Sequence, residues 1–463
     1  MPKTDWKAEA KSLKKRLKRL KDQIGTTVAD VSDEIMDEVA AVGDQIATLL
    51  KPAKPVSPLA PKDGFPKLPV IKGVSFAAAE AGIKYHHRKD VMLIRLAPGT
   101  AMAGVFTRSS TRSGCVRDCQ AKLALKAPAD AGAAIIVNSG NSNAFTGKVG
   151  DEAVSAVTTG LAQALGLPAS RVFSSSTGVI GEPLPYDRIT AVIPTLVDGL
   201  DEAGIEMAAH AMMTTDTFAK GACATVQGDG GPIQIAGIAK GSGMIAPDMA
   251  TMLVYIFTDA KIAPAPLQRM LSRNVDATFN SITVDSDTST SDTLLLAATG
   301  QSEAAQVTGT VAKAFESALH GVMRDLALQV VRDGEGATKL VEVRVSGAAT
   351  DADAGKVAFA IANSPLVKTA VAGEDPNWGR IVAAIGKSGA AADRDLLKIH
   401  FGDVLVAQNG WRNPRYKEED GAAHFRQDEI VIRVGLGLGK GARTVWTCDL
   451  TDRYIEINAD YRS

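Results

Sequence analysis

Lys240-Gly-Ser-Gly-Met-Ile-Ala-Pro-Asp-Met-Ala-Thr251-Met-Leu-Val-Tyr-Ile-Phe257 is a glycine-rich turn, a Pro-Asp bend and a small residue, Ala250, ahead of a threonine that opens an apolar strand. Residues 232–245 and 251–260 both read as strands rich in branched side chains. Further out, 133–140 (AAIIVNSG) reads as a buried strand ending in a turn. Residues 151–168 read as a helix stopped by Gly166 and Pro168, and 195–213 as another helical stretch. Beyond 262, helical stretches at 266–279 and 311–334 alternate with strands at 339–347 and 429–437. Such alternation predicts a mixed α/β chain whose sheets are covered by helices.

Thr251 is the residue in this stretch with chemical promise, because a hydroxyl on a rigid strand beside a loop is well placed for a nucleophile. A threonine hydroxyl is weak unless a base stands next to it, and an N-terminal threonine brings its own in its α-amine. An internal Thr251 gains that amine only if the Ala250–Thr251 bond breaks. Attack of its Oγ on the Ala250 carbonyl would give an ester that water opens. The small Ala250 leaves room, and the Gly/Pro-rich approach can hold the peptide strained. Against this, threonines begin many strands that do no chemistry. Gly241-Ser-Gly243 invites a phosphate-loop reading, but the spacings of both nucleotide fingerprints are absent. Gly435-Leu-Gly-Leu-Gly-Lys440-Gly reads as a hairpin turn.

Composition bounds the function. The 463 residues suffice for several domains, 45% are hydrophobic and 22% charged, and net charge is −1, without the basic excess of a nucleic-acid binder. Four cysteines in such a chain cannot form a disulfide framework, and only Cys115 and Cys119 are close in sequence, so no paired zinc spacing exists. The start, MPKTDWKAEAKSLKK, lacks the apolar run of a secretion signal, and no apolar run reaches transmembrane length; the expectation is a soluble cytoplasmic protein.

The first fifty residues differ from the rest. Leu13, Ile24, Ile35 and Ile46 recur every eleven residues, as do Leu17, Val28 and Val39, which keeps one apolar stripe along a nearly straight helix. Residues 1–50 therefore read as an appended amphipathic helix that self-associates, meets a partner or a membrane surface, or simply rides along. The run Pro52, Pro55, Pro58, Pro61, Pro66 makes 51–66 a semi-rigid linker, leaving a catalytic body from residue 67 onward.

That body resembles the ornithine acetyltransferase (ArgJ) family of arginine biosynthesis. The resemblance rests on blocks in order: 138–147 (NSGNSNAFTG), 176–181 (STGVIG), 213–216 (MTTD), Lys240–Leu253, 279–290 (FNSITVDSDTST), 334–338 (GEGAT), 374–380 (EDPNWGR) and 454–463 (YIEINADYRS). The resemblance implies a layered sheet–helix fold of the DmpA/ArgJ type and self-cleavage between Ala250 and Thr251. The products would be an α chain (67–250) and a β chain (251–463), paired and forming a dimer of such pairs. Thr251 would be the nucleophile, Thr177 and Gly178 the oxyanion donors. Thr214, Lys240, Thr251, Glu335, Asn458 and Ser463 would bind substrate, with Lys240 suited to a carboxylate and Glu335 to an ammonium. Acetyl would pass from N-acetylornithine to glutamate through acetyl-Thr251, with acetyl-CoA as a further candidate donor and neither metal nor cofactor. Asn138, Asn141, Asn143, Asp285 and Asp287 look like polar scaffolding near the site, with Asp375, Asn377 and Arg380 as another such cluster.

Two rivals remain open at this level. One is a self-cleaving N-terminal-nucleophile amidohydrolase or aminopeptidase, which passes the acyl group to water. The other is a non-catalytic assembly protein built around the leading helix. Deleting residues 1–60 is expected to leave turnover intact; its loss would contradict the division at 67.

Overall fold

The computed structural model describes residues 55–128, 130–246 and 252–459. The amphipathic helix read at 1–50 lies outside the described residues, as do Thr251 and Ser463. The described strands are β1 (Val74–Ala79), β2 (Val91–Leu96), β3 (Ala101–Phe106), β4 (Ala133–Asn141), β5 (Val172–Val179), β6 (Lys220–Gly228), β7 (Gly231–Lys240), β8 (Leu253–Thr258) and β9 (Thr293–Ala298). They continue with β10 (Leu340–Ala348), β11 (Lys398–Phe401), β12 (Val404–Gln408), β13 (Trp411–Arg412), β14 (Glu429–Gly435) and β15 (Gly441–Cys448). Three sheets result, in the orders β1-β2-β4-β5, β3-β9-β8-β7-β6 and β13-β12-β11-β14-β10-β15.

The first two sheets lie face to face. Phe76, Met92 and Ile135 of the first share one apolar core with Ala236, Tyr255 and Leu295 of the second, and the Phe76 and Phe257 rings meet edge-on at 5.3 Å. The outer faces are covered as well. Helix α2 (Gly147–Leu165), following α1 (Gly114–Leu123), lays Val157 and Leu161 over Leu93, Ile136 and Val172. Three short helices come next, α3 (Tyr186–Ala191), α4 (Ile193–Asp198) and α5 (Ile205–Ala211). Helices α6 (Pro264–Val275) and α7 (Gly309–Arg332) cover the second sheet, with Leu267 and Leu326 in the same core as Ile235, Ile256 and Leu296. The result is four layers, helix–sheet–sheet–helix. Strands buried on both faces must be apolar throughout, and the runs AAIIV, LVYIF and TLLLAA are so for that reason.

The third sheet has a separate core against α8 (Asp351–Ala362), α9 (Pro365–Ala372), α10 (Trp378–Gly386) and α11 (Glu418–Phe425). Its strand β15 leads into the last described helix, α12 (Asp452–Asn458). Among the described residues, no helix is long and apolar enough to cross a membrane.

Two local readings are corrected. The helical stretch 195–213 is broken in two: Gly199 and Gly204 interrupt it, and Asp201 turns aside to exchange both backbone bonds with Phe76 (2.8 and 2.9 Å). The glycine run 435–441 is not a hairpin turn. Strands β14 and β15 flank β10 on opposite sides, parallel and antiparallel to it, so the run crosses the end of that strand.

Residues from Val56 belong to the same compact unit as the body. Within the stretch read as linker, the Ser57 N–H donates to Thr217 Oγ1 (2.9 Å), its hydroxyl donates to the Arg332 carbonyl (2.6 Å), and Leu59 and Phe65 pack on the core. A chain starting at Val56 is therefore expected to melt with the full-length protein. One starting at Pro61 loses both Ser57 bonds and the Leu59 contact and should be less stable by about 1–3 kcal/mol. Thermal melts of the two truncations check this, and identical midpoints would contradict it.

Candidate active site

The ends of β5 and β7 and the loop entering β9 border one cavity of about 270 Å³. Thr177, Gly178, Thr214, Lys240, Glu335 and Asn458 all line it. The structure thus gathers every described residue that the sequence singled out for oxyanion or substrate contact. Thr177 and Gly178 come from the first sheet, Lys240 from the second, Thr214 and Glu335 from connecting loops, and Asn458 from the last described helix.

The strand pair β4–β5 sets the first two. It runs parallel, with Ser139 level with Thr177 and Gly140 with Gly178. Gly178 adopts φ +133°, and a Cβ there would lie 2.3 Å from the Gly140 carbonyl carbon, so only glycine fits. The buried Thr177 Oγ1 accepts from Lys240 Nζ at 3.2 Å, which leaves its own proton free to be donated. Behind this pair, the Ser176 hydroxyl donates to Asn138 Oδ1 (2.6 Å) and the Asn143 N–H to Asn141 Oδ1 (2.8 Å). The asparagines are the scaffold of the turn after β4.

Lys240 ends β7, opposite Leu253 at the start of β8. The chain then turns through Gly241, Ser242 and Gly243 to Met244, which is held at φ +56°. A side chain in that left-handed region stores about 1–3 kcal/mol of strain. Asp285 imposes it by accepting from the N–H groups of Met244 (2.6 Å) and Ile245 (2.9 Å). Just before β8, the Met252 N–H donates to the buried Asp292 Oδ1 (3.0 Å).

Glu335 reaches the cavity from the turn between α7 and β10. Thr338 and Lys339 donate backbone N–H bonds to Asp449 Oδ1 (2.8 and 3.0 Å), which pins that turn to the end of β15. A Cβ on Gly243 would come within 2.4 Å of the Glu335 carboxyl carbon, so that glycine is the space the carboxylate occupies. Burial raises the Glu335 pKa, and the charge of Asp285 adds to the rise. Asn458 Nδ2, at the end of α12, donates to Glu335 Oε2 at 2.6 Å and counters it.

A buried ion cluster backs the cavity. Lys220 Nζ lies 2.7 Å from Asp216 Oδ1 and 2.6 Å from Asp333 Oδ2, with all three side chains fully enclosed. Asp216 also accepts from the N–H groups of Gly241 (2.7 Å) and Thr214 (3.0 Å). Burial opposes the charge on Lys220, but Asp216 and Asp333 outweigh it and raise its pKa. Burial opposes the charge on Asp216 too, and there Lys220 and Lys240 win, holding its pKa well below the carboxylate range. For Lys240 burial prevails and lowers the pKa, against the pull of Asp216.

Sequence reasoning left Asp216, Lys220, Asp292 and Asp333 without roles. Asp216 stood in a quoted block; the other three carry no local signal, since what matters is the neighbour the fold supplies. Asp285 does scaffold the site, whereas Asp287 is exposed beside it. The group Asp375, Asn377 and Arg380 is not at the cavity. Asn377 caps α10, accepting from the Arg380 N–H (3.2 Å), and Arg380 donates to the Leu366 carbonyl (2.7 Å), all within the third-sheet lobe. Among the described residues, no group of three His, Cys, Asp or Glu side chains is placed to hold a metal ion.

The sequence model of the ArgJ family matches residues 75–463. The "Arginine biosynthesis bifunctional protein ArgJ" of Ruegeria pomeroyi is 64% identical over 408 residues, 88% of this chain and 98% of that protein. A solved structure of the protein of that name from Bacillus halodurans is 43% identical, covering 45% of this chain and 98% of its own, at a TM-score of 0.43. The ornithine acetyltransferase of Mycobacterium tuberculosis, solved complexed with ornithine, is 33% identical, covering 38% and 92%, at a TM-score of 0.34.

Removing one donor from an oxyanion site raises the barrier by about 2.7–4 kcal/mol. On the expectation that Thr177 is such a donor, Thr177→Ala lowers kcat by about 100- to 1,000-fold with little change in KM, and Thr177→Ser keeps most of the rate. Steady-state kinetics checks this; an alanine variant with the parent kcat would remove Thr177 from the chemistry.

Proposed function

The chain belongs to the ArgJ family, and from that premise we propose that it is a self-cleaving acetyltransferase of arginine biosynthesis, moving acetyl from N-acetylornithine to glutamate. One observation carries the assignment of the site: a single cavity gathers Thr177, Gly178, Thr214, Lys240, Glu335 and Asn458, with Lys240 paired to Leu253, two residues after Thr251 in sequence.

The chemistry follows from that arrangement. The chain breaks between Ala250 and Thr251, and Thr251 acquires a free α-amine. Its Oγ attacks the acetyl carbonyl, and the hydroxyl proton passes to the amine. The electron pair of the carbonyl moves onto oxygen, where the Thr177 hydroxyl and the Gly178 N–H stabilise it. Collapse breaks the C–N bond, the amine returns its proton to the leaving nitrogen, and ornithine departs. Acetyl remains on Thr251 as an ester. The glutamate amine then attacks the ester by the reverse path and leaves as N-acetylglutamate.

Lys240 carries charge toward the substrate carboxylate and Glu335 toward the ornithine side-chain ammonium. A bound ammonium would also hold the otherwise elevated Glu335 ionised. Thr214, Asn458 and Ser463 complete the contacts. Preference for an amine acceptor over water needs a positioned acceptor, and orientation can supply about 7–11 kcal/mol toward that. We extend the proposal to acetyl-CoA as a second donor and to a cytoplasmic dimer of α–β pairs that works without metal or cofactor.

Purified enzyme with N-acetylornithine should release ornithine rapidly only when glutamate is present, with one N-acetylglutamate formed per ornithine and parallel lines in double-reciprocal plots. Replacing N-acetylornithine by acetyl-CoA should still yield N-acetylglutamate. Ornithine release at an equal rate without glutamate would instead identify a hydrolase.

A further inference from the structure

Asp292 is a carboxyl group in the interior whose second oxygen makes no well-formed hydrogen bond among the described residues. Its side chain is fully enclosed, and Oδ1 accepts from the Met252 N–H at 3.0 Å. Oδ2 is buried without a hydrogen-bond partner. Unsatisfied buried polar atoms are rare and costly, and each one in a native fold calls for an explanation. The sheet explains why the group stands there. Strand β9 runs parallel to β8 with Thr293 level with Leu253, so the residue before Thr293 is delivered beside the residue before Leu253. The Thr293 N–H donating to the Met252 carbonyl (3.2 Å) locks this register.

A cation would relieve this group. Burial holds the Asp292 carboxyl well above its ordinary pKa, against the pull of Lys240 from β7, so a further positive charge beside it would favour the ionised form. The Ser289 hydroxyl also lowers the Asp292 pKa by hydrogen bonding, and Asp216, Lys220 and Glu335 in turn act on Lys240. Lys240 Nζ itself donates to Thr177. Among the described residues none makes a well-formed hydrogen bond to Oδ2. Cleavage before Thr251 creates a donor: the new α-amine is three covalent bonds from the Met252 nitrogen that Oδ1 already holds.

We propose that Asp292 is the positioning residue of the N-terminal base: one carboxylate oxygen holds Met252 in place and the other accepts from the α-amine of Thr251. This rests on the self-cleavage reading above. It supplies the third member that nucleophile–base pairs generally need, a group that orients the base and stabilises it once protonated. The proton inventory is unchanged. The Thr251 hydroxyl proton moves to the amine, the ammonium donates to Asp292 without transferring its proton, and that proton leaves with the departing amine. The oxygen unpaired among the described residues is thus satisfied in the mature enzyme.

The test is Asp292→Asn. The amide keeps an acceptor for the Met252 N–H but loses the negative charge facing the amine. An opposite charge nearby raises an amine pKa by about 1–3 units, so its removal lowers that pKa and frees the neutral base at lower pH. D292N is expected to be cut as completely as the parent. Its kcat should fall by about 100-fold, with KM nearly unchanged, and the acidic limb of kcat/KM against pH should move down by about one unit. Asp292→Glu, retaining the charge, should restore the limb toward its parent position. Asp292→Ser removes the carboxylate without added bulk and gives the same readouts should the amide fail to fold. A cut D292N with the parent rate and an unmoved limb overturns the proposal. So does a folded D292N that stays uncut, because the carboxylate would then serve the cutting step. Failure of the underlying reading looks different, since the parent protein would itself remain uncut.

Discussion

A lysine sealed away from water ties the site together. Lys220 on β6 meets Asp216 from the loop before it and Asp333 from the end of α7, and those two carboxylates hold Thr214, Thr217 and the Gly241 turn. Moving three charges out of water is expensive, and their attraction compensates only while all are present; deleting one partner of such a group typically costs about 3–5 kcal/mol. Asp216, with its depressed pKa, contributes stability that is present above the ordinary carboxylate range and lost as pH falls through its folded value. Lys220, with its raised pKa, contributes stability that is lost only as pH rises through a value above the ordinary lysine range. Burial raises the pKa of the third member, Asp333, so it protonates before Asp216 as pH falls; the cluster is intact between the titration of Asp333 and that of Lys220, and with it the geometry of Gly241 and Lys240.

Around that anchor the four-layer body acts as a frame for strand ends. Thr177 and Gly178 sit at the end of a strand in one sheet, Lys240 at the end of a strand in the other, and Glu335 and Asn458 on connections fixed by the third-sheet lobe. Sites on rigid elements hold reacting groups to tighter tolerance than sites on free loops. The strain at Met244, imposed by Asp285, lies in the segment approaching the proposed cleavage point. On the proposed function, the same fold serves two steps, opening the chain and then moving the acyl group.

Much of this was legible in the sequence. Continuous apolar runs such as LVYIF announced strands buried on both faces, and Gly166 before Pro168 ended α2 as read, at φ +64°. The cavity residues were legible through quoted blocks whose order matched a family, not through any single spacing. What could not be read was long-range. Asp292 gains its meaning from a parallel register with a strand forty residues earlier in the chain, and Lys220 from an aspartate more than a hundred residues away. Glycine content misled where a turn reading competed with a crossing connection, at 435–441. It also went unused at Gly199 and Gly204, which divide a stretch of otherwise helical character. Periodicity sees neighbours along the chain, whereas burial of charge is decided by neighbours across it.

Acyl transfer by this chain requires a free amine at Thr251. Intact-mass spectrometry with N-terminal sequencing of freshly purified, active protein addresses it most directly. Two co-purifying chains, one of them beginning Thr-Met-Leu-Val, are the predicted result. Full activity residing in a continuous 48.3 kDa polypeptide, with the Ala250–Thr251 bond intact, would contradict it.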